Sequence, residues 1–279
     1  MWRSQSIRIV AVVAVGTSMA AAAGARAQTM DSTRARAAGE VEPAPEAPTD
    51  SANSQNSDLR FSSRDDSLDW ARAKDIADRS SGFRILVSLE ARRLWVLSDQ
   101  DTLLVAPVAV AKGTTLDFDG RSWTFKTPRG VRTVLDKEAN PIWQPPDWVY
   151  AEAAEEHGLK LRHMPADGAV TLDDGRKLVV QDGVAGIIDS TGEFAVLPTD
   201  LHIVFDSTVF IPPIGTLNRR VEGELGKYRL NLGDGYLLHG TPDKASIGTA
   251  STHGCIRLGD DDIEWLYDNI PVGTRVYIY

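Results

Sequence analysis

The polarity of the chain changes at residue 83. In FRILVSLEARRLWVLSDQDTLLVAPVAVAKG (residues 83–113), Phe83, Ile85, Val87 and Leu89 alternate with their neighbours, and two more β-rich runs follow. A period of two puts successive side chains on opposite faces, which predicts strands with one buried face. WTFKTPRGVRTVL adds a strand, a Pro-Arg-Gly turn and another strand. PPDWVYAEAAEEHG predicts a helix, with Pro146 in its first turn and Gly158 closing it. Over residues 159–215 the short runs KLVV, GIID, EFAVL, HIVF and TVFI are divided by Gly, Asp and Pro, a pattern of hairpins projecting from a main sheet or covering a cleft. KYRLNL and GYLLHG predict strands. DDDIEWLYDNI predicts a helix with acids at its positive end and Ile263, Leu266, Tyr267 and Ile270 on one face. TRVYIY closes the chain as a strand. With no internal repeat, residues 81–279 are expected to form one mostly β domain with a few helices, and 151–215 to be an insertion or lid.

The segment before residue 81 follows another rule. MWRSQSIR, an apolar run and Ala25-Arg26-Ala27 have the three-part layout of a secretory signal peptide over residues 1–27. The apolar run, about 15 residues, is shorter than the ~20 that span a bilayer, so no transmembrane anchor is expected after its removal. Residues 28–80, rich in Ala, Ser, Pro and acids, read as a disordered tether carrying a short helix over 67–80 capped by Ser67. Loss of the signal removes Arg3, Arg8 and Arg26 and no acid, which takes the net charge from −9 to −12. That balance argues against a nucleic-acid partner. An exported protein, in a periplasm or cell-wall space, is the expectation.

Candidate chemistry concentrates in HGTPDKASIGTASTHGCIRL (239–258), which holds two of the five histidines and the only cysteine. One cysteine excludes an intramolecular disulfide, so Cys255 is either an inert core residue or a reactive thiol. A nucleophilic thiol needs an imidazole or a backbone dipole to favour its thiolate. His239 ends a strand, and the loop between is long enough to return Cys255 beside it, so His239 is assigned as general base and the thiol is expected to be ionised by it. His253, two residues before Cys255, is assigned as a local partner. Gly254 leaves the backbone free to turn, and the amides of His253, Gly254 and Cys255 are candidates for an oxyanion site. Zinc held by His239, His253, Cys255 and Asp243 meets the ligand count, but the spacing matches no usual structural zinc motif. Arg257 has two readings, a stem-peptide carboxylate or an ion pair with Asp260 or Asp262. Thr252 reads as a loop hydrogen bonder or a substrate contact, and Trp143 and Trp148 as core or groove. His157, His163 and His202 have no spacing that suggests a site.

Read as His, twelve residues, then [ST]-H-G-C-[IV]-[RN], the stretch His239–Arg257 resembles the active-site signature of L,D-transpeptidases of the YkuD type. The resemblance takes in TPRG (127–130), NPIWQPP (140–146), GELGKYRLNL and the end of the chain, about residues 83–279. Thr252 stands where Ser is commoner, and 151–210 matches poorly. The resemblance implies a β-sandwich or barrel-like catalytic domain without metal or organic cofactor. Cys255 would form a thioester with peptidoglycan stem tetrapeptides and release D-Ala. An amine acceptor, a second stem or a lipoprotein, would resolve it, giving 3→3 cross-links in the first case. His239 would be the base, held in its tautomer by the Gly240 carbonyl, with His253 and Gly254 in the catalytic loop and Arg257, Thr252 and Trp143 contacting substrate. Hydrolysis of the same thioester, an amidase that releases wall-attached protein, and a non-catalytic wall-binding module are the alternatives.

Overall fold

A computed structural model describes residues 9–10, 64–79 and 81–279 of the chain. The expected signal peptide lies outside the described residues, except that Ile9 and Val10 pair in parallel with His202 and Ile203, and the expected tether lies outside them up to residue 63. Helix α1 spans Arg64–Asp78, three residues earlier than expected. Ser67 is not its cap: its hydroxyl donates back to the Arg64 carbonyl at 2.7 Å from within the helix. Asp65, in the first turn, suits the positive end of the helix dipole.

A five-stranded sheet runs in the order Asp101–Pro107, Arg93–Ser98, Phe83–Ser88, Arg275–Ile278, Gly130–Thr133, with Phe83–Ser88 parallel to the C-terminal strand. A four-stranded sheet holds Ile256–Arg257, Leu237–His239, Tyr228–Asn231 and Asp136–Ala139. Both orders are open, so the arrangement is a sandwich and not a closed barrel. Between the sheets Ile85, Val87, Leu94 and Val96 meet Leu230, Leu238, Ile256 and Leu258. Helix α3 (Asp260–Asn269) adds Ile263 and Leu266, with Ile270 at its end. Each such side chain, taken fully out of water, contributes about 1.5–3 kcal/mol.

The expectation of one buried face fails for Phe83–Ser88, where Arg84 and Leu86 are buried as completely as Ile85 and Val87. The outer face is covered by α1, whose Trp70 meets Trp95 edge-on at 6.5 Å and whose Ala73 and Ala77 are buried. Arg84 donates to Asp78 of α1 at 3.2 Å and to the Asp99 carbonyl at 2.6 Å. The two strands expected in WTFKTPRGVRTVL do form, but in different sheets: Arg121–Thr124 pairs with Thr115–Phe118, and Gly130–Thr133 edges the five-stranded sheet.

Helix α2 (Asp147–His157) begins after Pro146, which caps it in an extended conformation, and ends at Gly158 in the left-handed region that a residue without Cβ enters freely. All five short β runs after it are strands. Lys177–Gln181, Val184–Ile188 and Phe194–Val196 form a sheet with Ala169–Thr171, and His202–Phe205 and Thr208–Ile211 extend from Lys160–His163. They enclose a core of their own around Leu178, Ile187, Phe205 and Phe210. Tyr150 and Ala154 of α2 pack on Val209 and Ile211, and Ala151 packs on Leu116 and Phe125. Arg219 ties the start of α2 to both proline loops by donating to Asp147, to the Pro145 carbonyl and to the Pro212 carbonyl.

Candidate active site

Leu237–His239 and Ile256–Arg257 are parallel neighbours, with Leu238 opposite Ile256 and His239 opposite Arg257. Leu238, Ile256 and Leu258 are buried in the sandwich core. Alternation then places His239 and Arg257 together on the other face, and the Arg257 guanidinium acts on both His239 and Cys255, which lies in the bend just before the strand. The loop between the strands is what lets residues so far apart in sequence share one pleat.

His239 is 3% exposed. Its Nδ1–H donates to the Gly240 carbonyl at 2.6 Å, which leaves the lone pair on Nε2. Burial, reinforced by the Arg257 guanidinium and opposed by the Gly240 bond, lowers its pKa to about 3, so the ring is neutral near pH 7. The position of that carbonyl depends on Gly226 in the GELGKY stretch. A Cβ there would sit 2.7 Å from the Gly240 backbone, and the φ of Gly226 is +67°.

Cys255 is partly exposed, and its thiol donates toward the Gly235 carbonyl at 3.7 Å. Among the described residues no hydrogen bond joins the sulfur to His239. Burial pushes the thiol pKa up, against the Leu237 amide and the Arg257 guanidinium, which favour the thiolate. The expectation of a thiol ionised by its neighbouring imidazole is therefore corrected. Burial thus favours the neutral form of both thiol and imidazole.

Gly254 has a φ of +150°, and a Cβ would lie 3.0 Å from the Tyr236 ring. Its carbonyl accepts from Thr127 at 2.9 Å, and the same hydroxyl accepts from the Ala111 amide at 3.0 Å, so the TPRG stretch anchors the loop. Its amide donates to Thr252 Oγ1 at 3.3 Å. Thr252 Oγ1 also donates to the Cys255 carbonyl at 2.6 Å. At 2% exposure, Thr252 has its hydroxyl engaged within the turn.

His253 is held by α2 and its neighbours. Its ring stacks on Trp148 of α2 at 4.0 Å and meets Phe125 edge-on at 4.5 Å. Nε2 lies 2.9 and 3.0 Å from the two carboxylate oxygens of Glu152 and 3.0 Å from Lys112 Nζ. Lys112 donates to Glu152 at 2.7 Å. Burial lowers the His253 pKa; Glu152 pulls it back in part. Burial works to raise the Glu152 pKa, but bonds from His253 and Lys112 outweigh it and hold the carboxyl below its ordinary range. Trp143, half-buried, continues the aromatic row at 6.3 Å from Trp148.

Arg257 is 6% exposed, and its Nε has no hydrogen-bond partner. Its nearest acid is Glu224 at 3.8 Å. It pairs with neither Asp260 nor Asp262; Asp260 is held by Lys244 at 3.1 Å. Burial raises the pKa of Glu224, against the pull of Arg257. Sequence reasoning missed Glu152, Lys112 and Glu224. Glu152 lies 101 residues from His253 in a helix whose Glu155 and Glu156 face solvent, and nothing in its spacing marks it. No group of three or more metal-ligating side chains occurs among the described residues.

Fold and site together define a β-sandwich domain with a cysteine and a neutral histidine at one parallel strand pair. The L,D-transpeptidase catalytic domain, YkuD, matches residues 82–278, and the chain belongs to that family. It is similar to the probable L,D-transpeptidase ErfK/SrfK of Escherichia coli K12, 47% identical over 57 residues, 20% of this chain and 18% of that one. The probable L,D-transpeptidase YcfS of the same organism is 28% identical over 197 residues, 70% of this chain and 43% of that one. The chain thus spans about a fifth of the first relative and under half of the second. Among solved structures, an L,D-transpeptidase from Xylanimonas cellulosilytica aligns with a TM-score of 0.37 at 18% identity, covering 72% of this chain and 61% of that one. No described helix is long and apolar enough to cross a membrane.

Proposed function

We propose that this protein is an exported peptidoglycan L,D-transpeptidase that works through a thioester on Cys255. The observation that carries the reading is the shared face of His239 and Arg257, whose guanidinium also acts on Cys255, with His239 Nδ1 committed to the Gly240 carbonyl. Sγ attacks the carbonyl of the third residue of a stem tetrapeptide while Nε2 of His239 takes the thiol proton. The C–N bond to D-Ala breaks, and the proton leaves with the amine. An amine acceptor then attacks the thioester, gives a proton to His239 and restores the thiol when Sγ departs. Because burial disfavours both the imidazolium and the thiolate, no ion pair is stored at rest, and proton transfer accompanies attack.

Arg257 lies beside both groups, and its Nε is unmatched by protein. It is the donor we assign to the charge that develops on the carbonyl oxygen, or to a stem carboxylate. Trp143, at the outer end of the aromatic row, is assigned to the stem.

Incubation with disaccharide-tetrapeptide, followed by mass spectrometry, tests the reading. Dimers with a 3→3 bond are expected. Tripeptide alone makes the protein a carboxypeptidase, with water as acceptor. A carbapenem is expected to add to Cys255 and not to Cys255→Ala; no adduct on the native protein would leave a wall-binding module.

A further inference from the structure

Glu152 belongs to none of the motifs that place this chain in its family, yet it makes two contacts to the ring that stands two residues before Cys255. We infer that Glu152 is a positioning residue for the nucleophile, acting through His253. The inference rests on the reading of Cys255 as the attacking group.

A carboxylate only accepts and an ammonium only donates. Nε2 of His253 lies within 3.0 Å of both Glu152 oxygens, so a proton on that nitrogen satisfies Glu152, while a bare lone pair there would face two others. Lys112 Nζ donates to one of these oxygens, Glu152 Oε1, at 2.7 Å and lies 3.0 Å from Nε2; the ammonium can aim its protons at the carboxylate, whereas a bare Nε2 would still face both carboxylate oxygens. Glu152 therefore fixes the proton on Nε2 and leaves Nδ1 as the acceptor. Rotation of the ring is blocked by the stack on Trp148 and the edge contact with Phe125. Gly254 follows directly, in a conformation that glycine alone enters readily, and the Thr127 hydroxyl holds its carbonyl. A ring locked on one side and a carbonyl held on the other leave Cys255 little freedom to move.

The parts of this clamp come from two places. Lys112 follows the strand Val110–Ala111, which pairs with Ala250–Thr252 of the catalytic loop. Glu152 and Trp148 come from α2, which also packs on Val209 and Ile211 of the 160–211 unit. The region that matches the family least thus reaches the catalytic loop through one carboxylate, and the clamp exists only when α2 is seated.

The test compares Glu152→Ala, Glu152→Gln and the exposed neighbour Glu155→Ala for carbapenem acylation of Cys255. The ring-nitrogen NMR shifts of His253 are read alongside, since they separate the two tautomers. Glu152→Ala is expected to slow the acylation step between about 10- and 100-fold at an unchanged half-saturating concentration, and to mix the tautomers. Glu152→Gln keeps an acceptor oxygen and is expected to restore most of both; Glu155→Ala should match the native protein. A native acylation rate in Glu152→Ala, or a slowed rate with an unchanged tautomer, overturns the positioning role. Native protein that takes no adduct overturns the reading of Cys255 itself, and the tautomer result then still decides whether Glu152 sets the ring.

Discussion

His239 and His253 lie on either side of one loop, both largely buried and both shifted toward the neutral form, but each is held by a different kind of partner. A backbone carbonyl takes the Nδ1 proton of His239 and leaves Nε2 bare; a carboxylate, with the Lys112 ammonium beside it, faces Nε2 of His253. A neutral carbonyl stabilises the imidazolium far less than a carboxylate does, so burial and Arg257 dominate at His239. There the ring becomes a base with nothing bound to its lone pair. At His253 the polar atoms are already matched within the protein, and the ring serves as a strut. The pair teaches that two histidines in one short motif acquire different chemistry from their partners alone.

The comparison breaks most readily on rates. His239→Gln removes the base and is expected to slow Cys255 acylation by about 10²- to 10⁴-fold. His253→Gln should cost less, in the range given for the loss of Glu152. Stopped-flow acylation by a carbapenem measures both. Equal losses would mean that both rings serve the same purpose, and a larger loss at His253 would reverse the assignment.

A smaller effect separates the scaffolds behind the two rings. The Gly240 carbonyl that holds His239 is in place because Gly226 lets the two backbones touch. Gly226→Ala would put a methyl 2.7 Å from main-chain atoms, at a positive φ. It is expected to lower stability by about 1–3 kcal/mol, read as a fall in the urea midpoint, and to disturb His239 while the ring-nitrogen shifts of His253 stay as they are. A stable Gly226→Ala protein with normal acylation would show that this contact does not set the carbonyl.

How much of this could be read beforehand follows from the range of the forces involved. The strands in 83–113 and the apolar face of α3 repeat within a few residues, so periodicity found them. The return of the segment after His239 to pair beside it was legible because a strand end and a glycine-flanked motif are local features joined by a loop of known length. The double burial of Phe83–Ser88 was not legible, since it depends on α1 docking across the outer face, as the Trp70–Trp95 contact shows. Glu152 and Glu224 were invisible for the same reason: their partners His253 and Arg257 are distant in sequence. The state of the thiol was misjudged because a neighbouring imidazole was weighed and the burial of both groups was not.

The finest distinction between the two rings is their share of acid lability. Both have pKa values below the ordinary 6.5 of histidine, that of His239 at about 3. As pH falls below about 6.5, the unfolded chain binds a proton that native His239 refuses, so stability drops with pH by at most about 1.4 kcal/mol per unit for that group. The loss is complete near the folded value. Burial acts in the same sense at His253, but Glu152 opposes it, so its contribution is smaller. Glu152 and Asp147 also have lowered pKa values and lose their stabilising share only as pH falls below their ordinary range near 4, so the fall in stability between about pH 7 and about pH 5 comes from the histidines, opposed by Glu224, whose raised pKa gains stability as pH falls. Urea midpoints across that interval should fall steeply for the native protein, less steeply for His253→Gln and least for His239→Gln. If His239→Gln follows the native slope, His239 already carries a proton in the native state, and its assignment as a neutral base fails.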